Sequence, residues 1–156
     1  MPGVQLSLHF TLSEVCRSDK AKELGIDNVP TDPAIIKNLK LVCENILEPV
    51  RIRYGGFTPN SVYRSPELNK NVRGSAKMSQ HMKGQAADFE IPGVSNYDLA
   101  VWCRDNLNYD KLILEFYKPE ILNSGWVHCS YVSMDKNRRI VSTTADGIFF
   151  REGLIK

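Results

Sequence analysis

The chain lacks any apolar run close to the roughly 20 residues of a membrane-spanning helix, so no segment is expected to cross a bilayer. It also lacks strong charge: the formal net charge of +2 over 156 residues gives no argument for nucleic acid as a partner. The N-terminal segment has neither a basic stretch nor a long apolar one, and we expect no secretory signal. Repeats and linkers are also missing, which at this length predicts one domain over residues 1–156.

Cysteine is sparse, and none of the four cysteines forms a Cys-x-x-Cys pair with another. Without an export signal, these scattered thiols are predicted to be reduced and mostly buried. Cys129 adjoins His128, but neighbouring side chains of an extended segment point to opposite faces. We therefore interpret Cys129 as a packing residue and not as a metal ligand.

The order of the hydrophobic patterns predicts an α+β fold, in which early helices precede an antiparallel sheet. A first short helix, capped by Thr11 or Ser13, should end near Gly25. Residues 31–33 start the strongest helix, whose apolar residues between positions 35 and 47 fall at helical spacing and should face the core. The other predicted elements are short helices at 66–74 and after 96–98, and strands at 86–91, 111–117, 126–132 and 147–150.

Histidine is rare as well, with only three in the chain, yet two of them flank a candidate metal site. His81, Asp88 and His128 would provide two imidazoles and a carboxylate, a set that suits catalytic zinc with a fourth position open for water. Asp88 follows two alanines and precedes a phenylalanine, so it is predicted to be a carboxylate in an apolar strand that needs a partner. A metal would be one such partner, and a salt bridge with Arg64 is the alternative. Two histidines in a domain of this size can also be ordinary polar residues.

The residues around this trio form three motifs that resemble one known family. The motifs are Tyr63-Arg64-Ser65-Pro66-x-x-Asn69, Ser79-x-His81-x-x-Gly84-x-Ala86-x-Asp88 and Trp126-x-His128. Together they resemble the zinc D-Ala-D-Ala carboxypeptidase family, which includes phage endolysins that cut the L-alanyl-D-glutamate bond and shares its metal fold with the hedgehog signalling domain. The resemblance covers roughly residues 10–132, and small phage or prophage members look most similar.

The resemblance implies a role for several side chains. The ligands of one zinc ion would be His81, Asp88 and His128. Arg64 matches the arginine that contacts the substrate or its developing oxyanion, although an ordinary ion pair is the alternative. Ser79 matches a serine that helps to hold the peptide, although it could simply cap a turn. Trp126 is expected to line the groove or to pack, and His9 matches no motif and is interpreted as structural.

The general base is less obvious, because many members of the family place an acidic residue three positions before the last histidine ligand. That position is Gly125 in this chain. The nearby carboxylates are Glu115 and Glu120, and Glu115 is the preferred candidate. Glu90 shares strand parity with Asp88 but is expected to be solvated or paired.

Strand pairing favours Glu115. If the strands around 112–117 and 126–132 form a hairpin with Tyr117 opposite Trp126, Glu115 falls opposite His128 on the same face. A shift of one residue would turn Glu115 to the other face. Related sequences also carry a glutamate in a Leu-Ile-x-Glu segment, which Leu112-Ile113-Leu114-Glu115 resembles.

These observations predict a zinc peptidase that hydrolyses a stem-peptide amide bond of peptidoglycan, as a D-Ala-D-Ala carboxypeptidase, an L-Ala-D-Glu endopeptidase or a phage-type endolysin. We expect a monomer with no nucleic-acid or membrane partner. It would be made in the cytoplasm and act on the wall after release, or be carried on a virion. The alternative is a non-catalytic zinc domain that binds cell-wall peptide or serves as a phage structural part.

Overall fold

A computed structural model describes residues 3–156 and confirms the α+β fold. Its α-helices are α1 (Leu12–Val15), α2 (Asp19–Leu24), α3 (Pro33–Val42), α4 (Glu48–Tyr54), α5 (Pro66–Lys70) and α6 (Asn96–Asn106). Its strands are β1 (Ala86–Phe89), β2 (Lys111–Glu115), β3 (Trp126–Ser130), β4 (Ile140–Thr144) and β5 (Arg151–Glu152). A π-helical turn (Cys43–Leu47) and a 3-10 helix (Gln80–Lys83) complete the set.

The first predicted helix is in fact two short helices. Thr11 caps α1 in a capping box, in which the Glu14 N–H lies 3.2 Å from Thr11 Oγ1 and the Thr11 N–H lies 2.8 Å from Glu14 Oε2. Ser18 then adopts an extended backbone conformation and caps α2 through its hydroxyl, so the chain cannot stay helical between them. The second helix ends at Gly25, whose φ of 67° gives the left-handed cap that the sequence predicts.

The central helical rod of the protein is α3, the π-helical turn and α4 in succession. Pro49 in the first turn of α4 has no N–H to donate, which explains why the regular hydrogen-bond pattern is interrupted just before it. The predicted apolar stripe is confirmed: Ile35 and Ile36 are half-buried, and its fully buried members are Leu39, Val42, Cys43, Ile46 and Leu47. The helix predicted at 66–74 is shorter than expected, since α5 ends at Lys70.

The five strands form one sheet in the order β1-β3-β2-β4-β5. Every pair is antiparallel except β2 with β4, which are parallel. The edge strand predicted at 147–150 is wrong, because these residues form the turn between β4 and β5. Asp146 Oδ1 accepts the N–H groups of Ile148 and Phe149, at 2.8 and 2.9 Å, and this local pairing replaces a strand ladder.

The two faces of the β1-β3-β2 region differ in character. One face is fully buried and packs against the helices; it consists of Ala87, Phe89, Leu112, Leu114, Val127 and Cys129. The opposite face is half-exposed and carries Asp88, Ile113, Glu115, Trp126 and His128. The alternation of strand side chains therefore separates the core from the candidate site.

All four cysteines are buried and free, in agreement with the sequence-based prediction. Burial raises the pKa of the Cys16 thiol to about 11 and that of Cys43 to about 12. Cys129 lies on the buried face of β3, as a packing residue should. Within residues 3–156, none of the helices has the length and apolarity required to cross a membrane.

Candidate metal centre

The three proposed ligands converge on the half-exposed face of the sheet. Asp88 on β1 pairs directly with His128 on β3, and His81 comes from the 3-10 helix that precedes β1. One ligand atom from each residue lies within 4.8 Å of the others, so the three groups are near enough together to serve one ion. Two imidazoles and one carboxylate form a donor set that fits a zinc ion.

The orientation of His81 is fixed by backbone groups. Its Nδ1 lies 2.8 Å from the carbonyl oxygen of Val62, which can only accept, so Nδ1 donates to that oxygen and Nε2 faces the site. Nε2 lies 3.2 Å from Asp88 Oδ2. Gly84 ends the 3-10 helix with a φ of 70°, and a Cβ there would lie 2.8 Å from the backbone oxygen of Ile35. Glycine therefore lets the His81 turn lie directly against α3.

Asp88 sits between the two histidines. Its Oδ1 lies 2.9 Å from His128 Nδ1, so its two oxygens contact one imidazole each. Burial alone would raise the pKa of this carboxyl, but the charge of His81 and the hydrogen bonds from both histidines hold it well below its usual range. Asp88 is thus ionised, as a metal ligand must be.

Glu115 lies on the same face, but the predicted register is wrong. Glu115 pairs with Trp126, and Ile113 is the residue opposite His128, so β2 is displaced by two residues from the predicted alignment. A displacement of two preserves the side-chain face, and Glu115 still points toward the site, diagonal to His128.

The environment of Glu115 favours its protonated form. Burial, and next the negative charge of Asp88, raise the pKa of the Glu115 carboxyl. His128, the Trp126 indole and Arg64 lower it by smaller amounts, and the net shift is upward. The buried Trp126 Nε1 has no partner in hydrogen-bond geometry, yet lies near enough to this carboxylate to favour its charge.

Gly125, three residues before His128, explains why no acidic residue stands at that position. Its φ is 69°, and a Cβ built on it would lie 2.1 Å from the carbonyl oxygen of Glu115. Any side chain at 125 would therefore collide with the backbone at the end of β2. The turn geometry itself excludes an acidic side chain at position 125.

Arg64 lies beside the centre without forming the salt bridge that was the alternative explanation for Asp88. Among the described residues it has no ion pair within 4.0 Å, and its Nη1 donates to Asn69 Oδ1 at 3.0 Å. Burial lowers the pKa of Arg64, while the charges of Asp88 and Glu115 act in the opposite direction. The guanidinium is thus near both carboxylates but held by an uncharged amide.

The remaining candidates occupy varied positions. Ser79 caps the 3-10 helix, with the His81 N–H 3.2 Å from its Oγ. Trp126 is half-buried on the site face, where its ring lies 5.0 Å from that of Phe116. Glu120 is exposed in the loop between β2 and β3.

Two residues that were set aside in the sequence are indeed engaged elsewhere. Glu90 accepts a hydrogen bond from Asn60 at 3.0 Å, and His9 Nδ1 lies 2.8 Å from Glu48 Oε1. Asn69, which holds Arg64, and Phe116, whose φ is 57°, were missed as site neighbours. Asn69 stands in the first motif and could have been found there, whereas no sequence signal indicates the strained backbone of Phe116.

Comparison with known proteins gives one result for the family. A family profile described as Peptidase M15 matches residues 8–130, which include all the proposed site residues from Arg64 to His128. No curated protein matched the chain. The profile thus covers well over half of the chain and stops after β3.

Proposed function

The chain belongs to the peptidase M15 family and is a metallopeptidase, and from this premise we propose that it hydrolyses amide bonds in peptidoglycan stem peptides with one zinc ion. The proposal rests on one observation. On the half-exposed face of the sheet, three candidate ligands and one carboxylate with a raised pKa lie together beside a half-buried arginine. M15 peptidases depend on zinc and act on peptidoglycan peptides, which agrees with this donor set.

In the proposed mechanism, His81, Asp88 and His128 hold the zinc ion. When bound, the ion would supply Lewis-acid chemistry toward the scissile carbonyl and toward water. Glu115 takes the proton from the attacking water and returns it to the leaving amine, and its raised pKa suits a group that must do both.

Other residues bind and orient the substrate in this proposal. Arg64 donates to the oxygen on which negative charge develops, since Asn69 occupies one nitrogen of its guanidinium and leaves the other N–H groups available. Trp126 forms part of the groove wall next to Glu115. Ser79 helps to hold the peptide at the start of the His81 turn.

The finer activity we propose is cleavage of either the D-Ala–D-Ala or the L-Ala–D-Glu bond, in a wall-degrading role such as that of a phage or prophage endolysin. Glu115 distinguishes this proposal from a non-catalytic zinc domain. A binding module would need the ligands but not a carboxylate with a raised pKa on the same face.

The test is release of muropeptides from purified sacculi by wild type and by Glu115→Gln, with bound zinc measured in both. We expect the variant to retain zinc and to lose cleavage by about 10²- to 10⁴-fold. The masses of the wild-type products identify the bond. Glu120→Gln is the matched control and should cleave like wild type.

Two results would contradict the proposal. Normal cleavage by Glu115→Gln would show that another group is the base. Zinc-loaded wild type that releases nothing from sacculi of different stem-peptide composition would favour the non-catalytic domain instead.

A further inference from the structure

A second carboxylate, Asp110, lies outside the metal centre and has an unusually complete set of partners. It precedes β2, and its side chain is 1% exposed. Arg138 donates to it three times: through the backbone N–H to Oδ1 at 3.0 Å, through Nε to Oδ1 at 2.9 Å and through Nη2 to Oδ2 at 2.8 Å. Gln80 Nε2 donates a fourth hydrogen bond to Oδ2 at 3.0 Å.

Hydrogen bonds of this kind keep the buried carboxylate charged. The side chain of Arg138, and then its backbone N–H and Gln80, outweigh burial and lower the pKa of Asp110 to about 2. A guanidinium that binds a carboxylate with two parallel N–H groups also fixes direction, because both groups are planar. Asp110 is therefore a rigid acceptor for the amide of Gln80.

Gln80 connects this carboxylate to the metal centre. It stands between Ser79 and His81 as the first residue of the 3-10 helix, at the unspecified position of the Ser-x-His motif. Its backbone oxygen also accepts the Gln85 N–H at 3.0 Å, which closes the turn that leads into β1. Both its main chain and its side chain are thus fixed next to a proposed ligand.

Arg138 belongs to a part of the chain that the family profile does not cover. The match ends at residue 130, and Arg138 lies in the segment between β3 and β4. The neighbouring Arg139 and Ile140 N–H groups donate to Tyr109 and Asp110 oxygens at 3.2 and 2.9 Å, so the segment is seated on the start of β2. Arg138, which lies outside the matched region, is thereby linked through Asp110 and Gln80 to the turn that carries His81.

We propose that Gln80, Asp110 and Arg138 form a positioning network that holds His81 in place for the metal. The proposal rests on zinc binding by the centre described above, but it does not require that the protein cleave peptidoglycan. In the hydrogen bonds and ion pairs of residues 3–156, none of the three side chains is bonded to His81, Asp88 or His128. They act through the turn, as the outer partners of metal ligands do.

The simplest competing explanation is that Arg138 and Asp110 only anchor the segment after β3. That explanation gives Gln80 no role, since the Arg138–Asp110 contacts are complete without it. Gln80→Ala therefore separates the two explanations. It removes one hydrogen bond at the turn and leaves the anchor intact.

The experiment measures the zinc dissociation constant of the full chain by competition with a chromophoric chelator, alongside the melting temperature of the metal-free protein. We expect Gln80→Ala and Arg138→Ala each to weaken zinc binding by about 10-fold. Gln80 and Arg138 both act through Asp110, so their effects should not add. The zinc affinity of the double variant should therefore be no lower than that of whichever single variant binds zinc less tightly. Arg104→Ala breaks the exposed Arg104–Asp105 pair with the same loss of charge, and it should leave zinc binding unchanged.

Wild-type zinc affinity in Gln80→Ala would overturn the network. The network would also be overturned if the loss of zinc affinity in the double variant equalled the product of the two single losses and the losses followed the fall in melting temperature. If Arg138→Ala does not fold, Gln80→Ala decides alone. Wild type that binds zinc but releases no muropeptides would refute the proposed function and leave this test in force.

Discussion

Asp88 and Glu115 are two carboxylates on one face of one sheet, on the two strands that flank β3, and their environments shift them in opposite directions. Asp88 lies between two imidazoles, and its pKa is lowered. Glu115 is half-buried, forms no salt bridge with any other residue in the range 3–156, and its pKa is raised. Burial is the largest influence on both, so burial alone does not separate their roles; the contacting partner does.

This contrast gives each carboxylate a distinct task. A carboxylate that stays ionised can hold a cation, whereas one whose pKa is raised can take up and release a proton more readily as a base. The variants and titrations described next test whether Asp88 and Glu115 have these two different roles.

The largest effect is expected from Asp88→Asn, which removes the charge between the two histidines while preserving size. Zinc binding should weaken by more than about 100-fold, beyond the range typical of outer partners of a ligand, and cleavage should be lost. Competition titration with a chelator measures the affinity. Glu90→Gln removes a carboxylate two residues away that is bonded to Asn60, and it should bind zinc normally. If Asp88→Asn binds zinc as tightly as wild type, the proposed difference in role between Asp88 and Glu115 is wrong.

A smaller loss is expected from Arg64→Gln, because this guanidinium lies near both carboxylates and contacts neither. The turnover number should fall by about 10²- to 10³-fold through loss of an oxyanion donor. Zinc affinity should remain within about 2-fold of wild type, because the Arg64 charge contacts neither carboxylate and interacts with them only weakly. Arg73→Gln alters an exposed arginine and serves as the control. Unchanged turnover in Arg64→Gln would exclude Arg64 from the chemistry.

The pKa difference itself can be measured by ¹³C NMR titration of the carboxyl carbons in the metal-free protein. The Glu115 signal, assigned by its disappearance in Glu115→Gln, should have its midpoint above the ordinary glutamate value of about 4.3. The Asp88 midpoint should lie below the ordinary aspartate value of about 3.9. Equal displacement of both midpoints in one direction would contradict the comparison.

The smallest effect concerns stability. A carboxyl with a raised folded-state pKa contributes stability below its unfolded pKa, and this contribution is lost as the pH rises through the folded pKa. Metal-free Glu115→Gln, which imitates the protonated form, should therefore melt at a higher temperature than wild type at pH 8. The difference should vanish below about pH 4, where Glu115 is protonated in both states. A melting temperature that is lower at pH 8 would show that the ionised form is favoured in the fold.

The pair His81 and Asp88 and the helix caps could be predicted because each depends on local spacing, whereas His128, forty positions after Asp88, was found through its own motif. His81 and Asp88 stand seven residues apart across one turn and the start of one strand, and Thr11 with Glu14 forms a box within four residues. The face of Glu115 was also predictable, since strand alternation needs only parity.

The register of β2 was not predictable for a local conformational reason. The chain leaves β2 at Phe116 with a φ of 57° and reaches β3 through Gly125 with a φ of 69°. These two left-handed residues end the strand at Glu115, so the pairing starts two residues earlier than a regular hairpin would suggest. Phenylalanine gives no warning of this conformation, which it adopts rarely.

The contacts around Asp110 were hidden for a different reason. Gln80 and Arg138 are separated from it by 30 and 28 positions, and no periodic pattern connects them. The partner strand β4 was missed because Ile140–Thr144 is mostly polar and pairs in parallel with β2, which requires a long connection.

The four buried thiols make the protein its own reporter of local opening. Cys43, Cys103 and Cys129 are 0% exposed, in the central helical rod, on α6 and on β3, while Cys16 is 7% exposed after α1. A thiol reagent can reach the first three only when the surrounding structure opens, and their raised pKa values suppress reaction further. Each labelling rate therefore measures the opening of a different element, and a cysteine introduced on the surface could carry a probe with little background.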